Sequence, residues 1–313
     1  MKAYIYHRED CPKYNKRLTI DGKGISFFVE PILQNSTMLQ SSCGNHWTIR
    51  FFEKTPFEQK FRIHFDSSDS VPKGYPIAKA IWLDNEDKGT ICSQLISAAS
   101  LFVRESSTLT SNDVHPLTST RSLITDREAI AYFSGNEKNF RRVVLIQALA
   151  LAYKQVMYRC MTSLSLSVKT ADSEETLNLY EQILRFNAAD YFRHPVHLDR
   201  HELSITWDLL ARHFRLQPTN KEMTEQLSGF SLMLKEQRDQ NRLEREKDAA
   251  RFERERENAH QQRERELEAK RSKAEKRLTF ALSVISLLSL LSLAELTPNT
   301  FKTFYNDWIV TES

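Results

Sequence analysis

The chain has 313 residues, enough for one or two domains with a substantial core, and its 44 lysines and arginines nearly balance 41 aspartates and glutamates. A net charge of +3 without a strongly basic domain argues against nucleic-acid binding as the main activity. Cys11, Cys43, Cys92 and Cys160 lie far apart with no C-x-x-C pair, and "MKAYIYHRED" has no apolar signal region. Both features point to a reducing, cytoplasmic setting rather than to a disulfide framework or a cysteine–zinc site.

In chain order, residues 1–105 read as an α+β domain whose first part is a mostly antiparallel sheet. "KAYIY", "RLTI", "GISFFVE", "HWTIRFFE", "KFRIHF" and "AKAIWLD" are short runs rich in β-branched and aromatic residues, separated by turn residues. "IDGKGI" predicts a hairpin, because Asp-Gly suits a turn that needs positive φ. Residues 89–104 have helical spacing, and 106–124 read as a Ser/Thr-rich linker without an apolar period.

Residues 125–217 are expected to form a helical domain. Capping-box spacing marks three helix starts, at Thr125/Glu128, Asp172/Glu175 and Asp199/Glu202. Between the first two boxes, residues 140–160 form a broadly apolar helix. The second box leads into a face of Leu177, Tyr180, Leu184 and Tyr191, the third into one of Leu203, Trp207, Leu210 and Phe214.

Residues 218–277 read as a stalk. Thr219 and Glu222 form a further box after Pro218, no proline follows until Pro298, and one helix can run from Asn220 into the apolar segment, about 85 Å before Leu278. Met223, Leu227, Phe230 and Leu234 pack its first turns. Beyond Leu243 the sequence is mixed charge, with pairs such as Arg242/Glu246, Arg251/Glu255 and Glu266/Lys270 at i, i+4 and no sustained heptad. It is a solvated rod or a loose oligomeric stalk.

Residues 278–296 carry no charge before Glu295 and would span about 28 Å as a helix, close to the hydrocarbon thickness of a bilayer. They read as a transmembrane helix. Lys270, Arg271, Lys273, Lys276 and Arg277 form a basic collar before it, which places the N-terminal bulk in the cytoplasm, the C-terminal tail on the opposite side, and the collar against anionic headgroups. In the tail, 297–313, Pro298 ends the helix, and Phe301, Phe304, Tyr305 and Trp308 suit an interfacial belt.

Ser283, Ser286, Ser289 and Ser292 recur at every third position of that segment. Each sits roughly 60° back from the last, so they make a slanted band over one half of the helix. Glu295 lies off the band, and the opposite half is wholly apolar. Three readings stand: hydroxyls bonded back to their own helix, small residues that let copies of the helix approach closely, or rings lining an ion path. The last two require oligomers.

"FRHPVHLDRHE" supplies His194, His197 and His201, three candidate ligands for zinc or another transition ion, although Pro195 leaves only His197 and His201 at helical spacing. The alternative is an inter-helix turn with solvated histidines. No Gly-rich phosphate loop, nucleophile elbow or paired-carboxylate motif is present, and no catalytic residue or bound cofactor is assigned.

The stretch "LYEQILRFNAADYF…ELSITWDLLARHF…EMTEQLSGFSLMLKEQRDQNRLERE", followed by the collar and apolar segment, resembles the CorA-type divalent-cation transporter family over roughly residues 172–296. The family's Gly-Met-Asn signature is replaced by "ELTPNTF", so no selectivity residue carries over. The resemblance implies a homo-oligomer gated by its cytoplasmic part, with a divalent cation as the transported or regulatory ion. Three functions are therefore expected in competition. The first is an anchored oligomer whose cytoplasmic domain senses a ligand or protein partner and acts on the membrane bundle. The second is a tail-anchored scaffold without conduction, and the third a membrane-tethered metal-dependent enzyme using the histidines.

Overall fold

The computed structural model describes residues 1–7, 14, 16–66, 74–85, 91–170, 173–294 and 302. The chain divides into two units, residues 1–234 and 235–313. In the first unit the order is β1 (Lys2–His7), β2 (Lys16–Arg17), β3 (Thr19–Ile20), β4 (Lys23–Gly24), α1 (Glu30–Gln34), β5 (Ser36–Gln40), β6 (His46–Phe51), β7 (Gln59–Asp66), β8 (Ala78–Asp84) and α2 (Ser93–Arg104). Then come β9 (His115–Thr118), β10 (Arg121–Asp126), β11 (Ala129–Ser134), α3 (Phe140–Thr170), α4 (Ser173–Ala189), α5 (His201–His213) and the start of α6 (Leu216–Ala294). The fold is α+β, as its sequence pattern predicts, with a long final helix.

Nine strands make one mixed sheet in the order β2-β5-β6-β7-β1-β8-β11-β10-β9. Its pairs are antiparallel except β8 with β11, which run parallel and need the crossover that α2 supplies. On one face, Ile5, Trp47, Ile49, Phe61, Ile63, Ile130 and Tyr132 share a core with α3, whose residues 143–153 are all buried. On the other face, Ile96, Ala99 and Val103 of α2 cover Ile81, Ile124, Ala131 and Phe133.

The "IDGKGI" hairpin is present. Thr19 pairs with Gly24 and Ile20 with Lys23, and Asp21 and Gly22 take φ values of 52° and 72°. The left-handed turn is why glycine belongs at position 22. The face Leu203, Trp207, Leu210 and Phe214 is buried, as are Met223, Leu227 and Phe230 at the start of α6.

Several expectations are corrected. Residues 106–124 are not a linker: Leu109 and Leu117 are buried, Thr110 and Asp113 cap a 3-10 turn, and β9 and β10 extend the sheet. Pro116 is tolerated because β9 is the terminal strand. The helix expected from Thr125 is a hairpin, in which Thr125 faces Ile130 and Arg127 turns the chain at φ 49°. The run "AIAYFS" is buried along its whole length because both sheet faces are covered, and so it loses the alternation that identifies a strand. Within "GISFFVE", Phe28 makes only a single bridge to Val196, and Glu30 opens the short α1. Leu184 of α4 is 41% exposed, whereas Ile183 and Phe186 are buried, so the core face is rotated from the predicted one.

β6 and β7 place His46 directly opposite His64, with ring centroids 4.4 Å apart and the two Nδ1 atoms at 3.0 Å. One ring must donate and the other accept, so a doubly protonated pair loses this bond. Desolvation, with Arg62 nearby, holds both imidazoles below the usual histidine range; His64 also presses on His46, and Asp66 partly offsets the shift at His64. As pH falls through about 6.5, the unfolded chain takes up protons that the fold resists, and stability falls. The thermal midpoint is expected to drop between about pH 7.5 and pH 5.5, and a His46→Gln/His64→Gln variant should show a shallower drop. An equal slope in the variant would remove the pair as its cause.

The second unit is the continuation of α6, in which every described side chain from Lys235 to Ser292 is exposed. Arg242 and Glu246 pair at 3.0 Å as their spacing predicts, but Arg251 pairs with Asp248 rather than Glu255. Glu266 and Lys270 form no ion pair among the described ones. Exposed pairs of this kind contribute tenths of a kcal/mol each. Among the described residues no helix is long and apolar enough to cross a membrane. The end of the 278–296 segment lies outside the described side chains, which reach Leu290 and then Ser292 alone; Glu295, Pro298, Phe301, Phe304, Tyr305 and Trp308 lie outside as well.

Candidate functional site

A cleft of about 420 Å³ opens in the first unit between the β3–β4 hairpin and the start of α5. Lys23, Asn139, Arg142, Arg200, His201 and Glu202 give it a polar lining, with Ile25 and Phe27 beside them. Backbone bonds bring the hairpin's following segment and the α4–α5 loop together: Val29 N–H donates to the Pro195 carbonyl at 2.8 Å and His197 N–H to that of Phe27 at 2.9 Å. This double stitch carries residues 200–203 to the hairpin.

Glu202 organises the floor. Its carboxylate, 9% exposed, accepts from the Arg121 guanidinium, from Tyr132 Oη at 2.5 Å and from Asn139 Nδ2 at 2.7 Å. Burial, reinforced by the adjacent carboxylate, pushes the Tyr132 hydroxyl far above its ordinary range, so it stays a donor. Asn139 Oδ1 in turn accepts from Arg142, whose other nitrogen pairs with Asp21 at 3.1 Å. The chain Asp21–Arg142–Asn139–Glu202–Arg121 thus links the hairpin, the start of α3, α5 and β10. Glu202 does not close a capping box with Asp199. α5 begins at His201, its N-cap Arg200 makes no side-chain cap bond, and the acid turns inward to stronger, charge-assisted partners.

A carboxylate this fully engaged is a poor general base. What the cleft offers is positive charge on its rim from Lys23, Arg142 and Arg200, above an acid already matched from below by Arg121. Glu202→Gln is expected to cost about 2–3 kcal/mol, below the full penalty for breaking a buried pair because Arg121 is partly exposed. Denaturant unfolding checks this; a cost under about 0.5 kcal/mol, typical of a surface change, would show that the network does not hold the floor.

The histidines do not converge. His194 Nδ1 lies 3.7 Å from Asp208, His197 is exposed, and His201 faces the cleft. Among the described residues no group of three His, Cys, Asp or Glu side chains is placed to hold a metal ion. The serines are exposed: Ser283 Oγ donates to the Thr279 carbonyl at 2.6 Å, Ser289 to Ile285 at 2.8 Å and Ser292 to Ser289 at 2.8 Å. Lys270, Arg271, Lys273, Lys276 and Arg277 are exposed along the same helix.

Arg121, Tyr132, Asn139 and Arg142 escape sequence reading because they are scattered over four elements with no local spacing to mark them. No family model matches the chain, and no curated protein or solved structure matches it.

Proposed function

We propose that the chain is a membrane-anchored, self-associating sensor. Residues 278–296 cross the bilayer, the basic collar sits at the headgroups, and the folded unit 1–234 faces the cytoplasm and receives a ligand. The observation that carries this reading is the uncovered apolar girdle at the end of α6: Leu278, Phe280, Leu282, Ile285, Leu287, Leu288 and Leu290 are each more than half exposed. Leaving such side chains in water costs about 1.5–3 kcal/mol apiece, so a helix this rich in exposed apolar side chains requires lipid or other helices around it.

The serine band fits association better than conduction. Three of its hydroxyls are satisfied by their own helix, which leaves small side chains where copies can approach closely. The cleft has a short route to the anchor helix within the first unit. Its wall includes the first turn of α5, and α5 reaches α6 through a tight turn in which Arg215 adopts φ 55°. A ligand that shifts α5 therefore acts on the base of α6.

Alkaline carbonate extraction of the full chain, followed by cross-linking in mild detergent, tests the proposal. Retention in the membrane pellet with cross-linked oligomers is expected, and release into the supernatant or a monomer would overturn it. The conducting version that the CorA resemblance implies adds a current across a planar bilayer, which Ser286→Leu/Ser289→Leu should abolish if the band lines the path.

A further inference from the structure

We propose that the cleft between the β3–β4 hairpin and the start of α5 binds a small, soluble phosphate ester. The volume, about 420 Å³, lies within the usual range for small-molecule sites, about 300–1,000 Å³. Its cations come from three separate elements: Lys23 from β4, Arg142 from α3, and Arg200 from the end of the α4–α5 loop. Cations supplied from three elements suit a tetrahedral dianion better than a planar carboxylate, which a single guanidinium can pair in one plane.

The interior acid does not cancel this field. Glu202 is matched by Arg121, Tyr132 and Asn139, so its charge is turned to the floor. Arg142 is held by Asp21 and Asn139, which presets its guanidinium at the wall and lowers the ordering cost of binding. Lys23 and Arg200 are exposed, and Arg200 has only a solvent-exposed pair with Asp199 at 3.7 Å to give up in closing over a bound anion. The start of α5 adds backbone N–H groups to these side chains; by itself it would define no site.

The inference rests on reading unit 1–234 as the ligand-receiving part of the protein, and membrane extraction tests the anchoring separately. Full-length protein in detergent is titrated calorimetrically with inorganic pyrophosphate and, in a second arm, with dihexanoyl phosphatidic acid. Saturable pyrophosphate binding is expected, weakened about tenfold or more by Lys23→Gln/Arg200→Gln, which removes two of the cations that would bond the anion. Both residues lie outside the floor network, so the unliganded thermal midpoint should stay unchanged. No binding at millimolar pyrophosphate, or equal affinity in wild type and variant, would overturn the site. Tighter binding of the lipid than of pyrophosphate would overturn the soluble ligand and assign the cleft to a headgroup.

Discussion

Tyr153→Ala is expected to destabilise the folded unit by about 3–5 kcal/mol, the range for removing a large buried aromatic ring. Tyr153 is fully buried on α3, where its ring meets Phe52 at 5.3 Å, Tyr191 at 5.2 Å, Trp207 at 5.8 Å and Phe186 at 6.3 Å. Those partners come from the loop after β6, from the chain after α4, from α5 and from α4, so one side chain joins the helices to the sheet. Its hydroxyl donates to the Asp190 carbonyl at 2.8 Å and accepts from Phe192 N–H at 3.2 Å. Burial drives that hydroxyl well above its normal range, so it remains protonated and keeps both bonds. Alanine would leave a cavity and two backbone groups without their partner. The thermal midpoint should fall by about 10 °C, given about 2–4 °C per kcal/mol at this size. Tyr153→Phe keeps the ring and should cost only about 1–3 kcal/mol, the penalty for unpaired polar groups. Equal losses in the two variants would assign the effect to the hydroxyl, and no loss in either would dismiss the junction.

This junction shows where sequence reading succeeds and where it stops. The α5 stripe was legible because Leu203, Trp207, Leu210 and Phe214 alternate with polar residues along one face. On α4 the pattern misled: Leu177 and Leu184 are as apolar as Ile183 and Phe186, and only packing against Tyr153 and Phe57 selects the second pair. β11 was hidden for the opposite reason, since a strand covered on both faces loses its period. The cleft was invisible for a third. Its parts at positions 23, 121, 139, 142 and 202 carry no shared spacing, and Glu202 looked like a cap because a capping box needs only four consecutive residues. The membrane reading of the apolar segment, by contrast, rests on a contiguous run and not on long-range contacts, so it needs no knowledge of the fold.

That contiguity makes the proposed anchor the most sensitive target. Leu287 and Leu288 lie at the middle of 278–296, and an arginine at the centre of a membrane helix costs about 2.5–3.5 kcal/mol where leucine is favourable by a few tenths. Leu287→Arg/Leu288→Arg is therefore expected to cost about 6–8 kcal/mol of insertion free energy and to shift the protein from membrane to supernatant in flotation. Two further variants separate this from a general effect of added charge. Leu267→Arg alters an exposed site on the charged rod and should leave partition unchanged, since its side chain is already in water. Ser286→Leu/Ser289→Leu raises apolarity and should keep the protein in the membrane while weakening its cross-linked oligomers, because leucine holds apart helices that serine lets approach. If the double arginine variant floats with the wild type, the apolar segment is covered by protein rather than by lipid. The girdle would then be a helix–helix interface, and the collar an ordinary run of solvated charge.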